Sequence, residues 1–136
     1  MKARVIIPVW GGDYLRRLDL ACLPALLSEG NLPHLSLHYQ CELAIVTESR
    51  LFDQIRVLPS IYRASQYASL QLIAIDDALS IPDYYGVTIT HALFRGMSDL
   101  GQSVVDTWCL FLNADFILAD GSYRSLVKKM QSGSKL

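Results

Sequence analysis

Along the chain, short unbroken apolar runs alternate with stretches whose apolar residues recur every three or four positions. Residues 3–10 (ARVIIPVW) form a β-branched apolar run halted by Gly11-Gly12, the pattern of a buried strand. Asp13 then stands where a helix cap is expected. Over 14–27, Leu15, Leu18, Cys22, Leu23, Ala25 and Leu26 repeat at helical steps, with Arg16 and Arg17 off the stripe and Pro24 set to end or kink the helix. Gly30-Asn31-Leu32-Pro33 is a stop signal, His34 and His38 fall in a loop, and a second strand is predicted at 41–47 (CELAIVT). Residues 48–63 carry Leu51, Phe52, Ile55 and Leu58 at near-helical spacing, interrupted by Pro59. A third strand is predicted at 69–75 (SLQLIAI), ending at Asp76-Asp77, and a helix from Tyr84 to about Leu100, with Ile89, Leu93 and Met97 on one side. Residues 107–112 (TWCLFL) give a fourth strand closed by Asn113-Ala114-Asp115. A last helix runs to about Met130, with Asp120 or Ser122 as its N-cap.

Four apolar strands alternating with helices predict an α/β fold with a mostly parallel, Rossmann-like sheet. Right-handed crossovers make that sheet doubly wound, with helices on both faces. One domain is expected over 1–130, followed by a flexible polar tail at 131–136. No internal repeat or low-complexity tract is visible.

Composition narrows the function classes. The chain has 136 residues, 51% of them hydrophobic, enough for one buried core. A formal net charge of −1 leaves no broad electrostatic footprint for nucleic acid. Cys22, Cys41 and Cys109 are widely spaced and set in apolar stretches, which reads as buried free thiols and fits a reducing cytosol. No apolar run is long enough for a membrane span or a signal peptide.

In open parallel sheets, ligands bind beyond the carboxyl ends of the strands, where loops and helix N-termini converge. Here those ends are Pro8-Val9-Trp10-Gly11-Gly12, Thr47-Glu48-Ser49, Asp76-Asp77 and Asn113-Ala114-Asp115. Carboxylates close three of the four strands, which suits oxygen-ligated metal chemistry and hydrogen bonds to a sugar or base. Gly11-Gly12 has neither the dinucleotide nor the P-loop spacing.

Two of these segments carry a family resemblance. VIIPVW resembles the opening strand of inverting family 2 glycosyltransferases and their relatives: apolar residues, Pro, any residue, then an aromatic. LFLNADFILADGSYRSLV is similar to the family's segment in which a strand ends in Asp-x-Asp and a loop leads through Gly into a helix. The resemblance follows element order over the whole chain, but residue by residue it is close only in these two segments. It implies the GT-A type of α/β fold and binding of a nucleotide diphosphate sugar with Mn²⁺ or Mg²⁺, for transfer to a saccharide or lipid-linked acceptor. Carried over by position, Asn113 and Asp115 match the two acidic positions of Asp-x-Asp, with Ala114 between them. Asn113 departs from the usual Asp, so the metal role rests on Asp115. Glu48 matches an acidic residue placed against the nucleotide base, Pro8, Val9 and Trp10 match the edge of that pocket, and Asp76 and Asp77 also line it. The family's Ala-Arg-Asn-x-Gly is replaced by Ala92-Leu93-Phe94-Arg95-Gly96, so that His91 and Arg95, four apart on one helix face, are the candidates for the phosphate side.

Plainer readings stand beside these. Asp115 could be a turn or capping residue, Asp76-Asp77 a solvated turn before Pro82, His91 an ordinary half-buried helix residue and Trp10 a core residue. The family's general base lies beyond the last helix, so this chain reads as a donor-binding half without the acceptor half, inactive in turnover by itself. The alternatives are a noncatalytic nucleotide- or partner-binding module, with self-association burying uncovered apolar surface, and a receiver-like domain. The last needs an acidic pair after the first strand, where this chain has Val-Trp-Gly-Gly.

Overall fold

A computed structural model describes residues 1–77 and 85–133. Tyr84, Pro82 and the last three residues of the polar tail lie outside the described residues. The order is β1 (Lys2–Pro8), α1 (Gly12–Arg17), a π-helical turn (Leu18–Cys22), α2 (Leu23–Leu26), α3 (Leu32–Ser36), β2 (Gln40–Thr47), a 3₁₀ turn (Ser49–Leu51), α4 (Phe52–Arg56), α5 (Pro59–Ala64), β3 (Ala68–Ala74), α6 (Tyr85–Ser98), a 3₁₀ segment (Gly101–Asp106), β4 (Thr107–Phe111) and α7 (Ser122–Gln131). The strands form one sheet in the order β3-β2-β1-β4, all parallel. This is the Rossmann-like α/β architecture expected from the hydrophobic pattern.

Strand alternation divides the core in two. Ala3, Val5, Ile7, Cys41, Leu43 and Ile45 point to one face, where they are buried with Leu15, Leu18, Leu23, Leu26, Leu35, Ile55 and Val127 from the helices. Ile6, Ala44 and Val46 point to the other, against Ala92 of α6, with Leu93 and Met97 packed alongside. Helix α6 sits unusually close: a Cβ on Gly96 would come within 2.5 Å of Ile6 Cγ2.

That second face also holds charge inside an apolar strand. Arg4, 2% exposed, donates to the Gly96 carbonyl at 2.8 Å, to Asp99 at 2.6 Å and to Glu42 at 2.9 Å. These bonds tie α6 to β1 and β2.

Several local expectations are corrected. Asp13 does not cap α1. The N-cap is Gly11 at φ 85°, a conformation only Gly adopts without strain, and Asp13 sits in the first turn, where its charge suits the helix dipole. Neither Asp120 nor Ser122 caps α7, whose N-cap is the left-handed Gly121. Asp120 instead accepts the Gly30 N–H at 2.8 Å, and Ser122 donates to the Ala119 carbonyl. His34 lies in α3, not in a loop: Pro33 occupies its first turn, where a missing N–H costs nothing. Pro24 does not end its helix either, because it follows a π turn and falls at the start of α2. His91 is exposed rather than half-buried.

Candidate functional site

The sheet order makes β1 and β4 neighbours, in register from Lys2↔Thr107 to Ile6↔Phe111. The ladder continues past β4, where the Leu112 N–H donates to the Ile6 carbonyl at 3.0 Å. The segments that follow these strands therefore emerge side by side. Pro8, Val9 and Trp10 form one wall of a cleft, and Asn113, Ala114 and Asp115 form the other. Tyr14, in the first turn of α1, and Ile89, on α6, complete the lining. The cleft encloses about 270 Å³, its open mouth included.

Tyr14 and Ile89 were not among the residues expected at the site. Tyr14 could have been found, since a first-turn residue just past a strand-end Gly-Gly pair faces the carboxyl edge of the sheet. Ile89 belongs to an apolar helical stripe and carries no such signal.

Each wall is fixed from behind. Val9 is buried, and its N–H donates to the Val46 carbonyl at 2.9 Å. On the opposite wall, Ala114 is buried and the Cys22 thiol of the π turn reaches the Asn113 carbonyl at 3.6 Å. Burial, and secondarily the nearby Asp115 carboxylate, push the Cys22 thiol up to about 12, so it is a neutral packing group and not a nucleophile. Asp115 itself is exposed, and it is the one carboxylate among the described lining residues.

Other candidates stand near the cleft but are engaged elsewhere. The Glu48 carboxylate accepts the Gly11 N–H at 2.8 Å and Arg50 Nε at 2.5 Å, so it clamps the turn after β1 to the end of β2. Asp76 accepts both the backbone N–H and the hydroxyl of Ser49, and these hydrogen bonds hold its carboxyl below the usual range. Arg95 makes a two-pronged ion pair with Asp77 and donates to the Ala74 carbonyl at 2.9 Å, so it braces the turn after β3. Neither it nor His91 lines the cleft.

Among the described residues, no group of three or more His, Cys, Asp or Glu side chains could hold a metal ion, and no helix is long and apolar enough to cross a membrane. Comparison of the chain with protein-family models, with curated proteins and with solved structures finds no match in any of the three.

Proposed function

We propose that this cleft binds the diphosphate portion of a nucleotide diphosphate sugar together with a divalent cation, as the donor-binding part of a GT-A type glycosyltransferase. The observation that carries this reading is the meeting of the Pro8-Val9-Trp10 and Asn113-Ala114-Asp115 segments in one cleft. These are the two places where the sequence resembles family 2 glycosyltransferases, and they lie about a hundred residues apart in the chain. Trp10 and Tyr14 offer aromatic surface to a base or sugar, and the Asn113 amide can hydrogen-bond a hydroxyl.

The donor set suits a cation that arrives with its ligand. Mg²⁺ and Mn²⁺ are commonly held by one or two carboxylates plus substrate phosphates while keeping several waters, so a single exposed carboxylate, Asp115, is sufficient on the protein side. Such a cation neutralises charge on a departing diphosphate. Glu48 acts here as a positioning residue, because its carboxylate sets the Gly11 turn beside Trp10.

A noncatalytic nucleotide-binding module is the second reading. The cleft favours it by chemistry, since it offers no second carboxylate among its described lining residues to serve as a base.

Calorimetry of uridine and guanosine diphosphates tests the proposal. Binding in Mn²⁺ or Mg²⁺ should weaken about tenfold or more in EDTA, a change of about 1.4 kcal/mol. Asp115→Ala should remove the metal-dependent part while leaving the melting temperature unchanged. Equal affinity with and without metal, or a large fall in melting temperature, would refute it. Release of nucleotide diphosphate from a panel of donors and acceptors separates the two readings.

A further inference from the structure

We propose that two copies of this chain pair antiparallel along their β4 edges, making one continuous sheet across a twofold axis centred on Cys109. β4 ends the sheet, and no strand among the described residues pairs with its outer side. The Leu112 N–H points to β1, so by strand alternation Trp108 and Leu110 also direct their backbone groups inward. Cys109 and Phe111 present theirs outward, as does the Thr107 carbonyl, while the Thr107 N–H already donates to the Val104 carbonyl.

Three features select a second copy as the occupant. The first is register. The outward residues are symmetric about Cys109, so an antiparallel copy sets Cys109 opposite Cys109 and Thr107 opposite Phe111. The two Cys109 residues then exchange both backbone bonds, and each Phe111 N–H meets the Thr107 carbonyl of the other copy.

The second feature is the distribution of exposed apolar groups. Val104 and Val105 lie exposed just before the strand, and Phe116 and Ile117 just after it. Antiparallel pairing brings the Val104-Val105 end of one copy alongside the Phe116-Ile117 end of the other. Phe111 and Phe116 are 50% and 53% exposed, and Ile117 and Val105 are 70% and 81% exposed. With an aromatic side chain worth about 150–250 Å², these groups offer on the order of 500 Å² per copy before the strand backbone is added. A stable interface needs about 800 Å² per partner.

The third is charge. Residues 107–112 contain neither charge nor proline, the devices that usually keep an edge strand from pairing. A net charge of −1 leaves two copies with little mutual repulsion. The other edge, β3, carries polar Ser69 and Gln71.

A charge exchange tests both the pairing and its register. Sedimentation equilibrium of the unaltered chain should show a dimer. Thr107→Lys with Phe111→Lys sets like charges opposite each other twice and should weaken dimerisation about tenfold or more. Thr107→Glu with Phe111→Lys should restore it, because each Lys then faces a Glu of the other copy. Unchanged far-UV dichroism and melting show that both variants fold. An unaltered chain that stays monomeric at high concentration overturns the proposal. So does a dimer indifferent to the Lys pair, or one that the Glu-Lys exchange fails to restore.

Discussion

Replacing Arg4 by Met should destabilise the protein far more than any single surface change, and the buried ion pair sets the magnitude. The Arg4 side chain is 2% exposed and that of Glu42 10%, at 2.9 Å. Removing the cation leaves Glu42 in a site with little water, 3.8 Å from a half-exposed Lys2. Breaking one side of such a pair costs about 3–5 kcal/mol, against about 5–15 kcal/mol for a whole domain. The Asp99 arm adds less, because Asp99 is 51% exposed and solvent replaces much of what Arg4 supplies. Arg4→Met combined with Glu42→Leu should recover most of the loss, since an apolar pair of similar volume carries no desolvation cost. Urea unfolding followed by the fluorescence of Trp10 and Trp108 measures all three forms.

The same network predicts a pH dependence. The hydrogen bond from Arg4 holds the Asp99 carboxyl below the usual range. Its contribution is therefore complete above about pH 4, the ordinary carboxylate value, and is lost as pH falls through the lowered folded value. That acid-side decline should be smaller in Arg4→Met. A loss below about 1 kcal/mol for Arg4→Met, or a double variant as unstable as the single one, would refute the reasoning.

Two further outcomes follow from packing. Gly30→Ala should cost about 3 kcal/mol or more, because its Cβ would lie 2.6 Å from the backbone of Gly121. Gly12→Ala, whose Cβ meets nothing within 4 Å, should stay within about 0.5 kcal/mol; urea titration of both variants checks the contrast. Cys22 and Cys41 should resist a thiol reagent at pH 8 until urea unfolds the chain, since burial pushes them up to about 12 and about 11. Fast labelling of either, located by peptide mapping, would show that the face they pack in is open.

The sequence by itself determined the α/β class, the four strands and most of the helices, because hydrophobic periodicity is a local record of which face each segment buries. Strand ends were legible to within one or two residues, and Gly11-Gly12 and Asn113-Ala114-Asp115 were recognisable as the segments that follow β1 and β4 at the carboxyl edge of the sheet. Cap assignments failed at Asp13, Asp120 and Ser122, because a side chain at a helix end can equally serve a distant backbone group, as Asp120 does for Gly30. Only the tertiary structure brought the β1 and β4 ends into one cleft, since strand order is set by long-range packing and not by neighbouring residues. It also decided which charged groups are engaged. Glu48 finds its partner 37 residues away, Asp76 27 away and Arg4 up to 95 away, separations at which sequence spacing carries no information about contact. Asp115 stands out at the cleft because the other strand-end carboxylates were taken up by the fold, a choice that depends on where the chain returns in space.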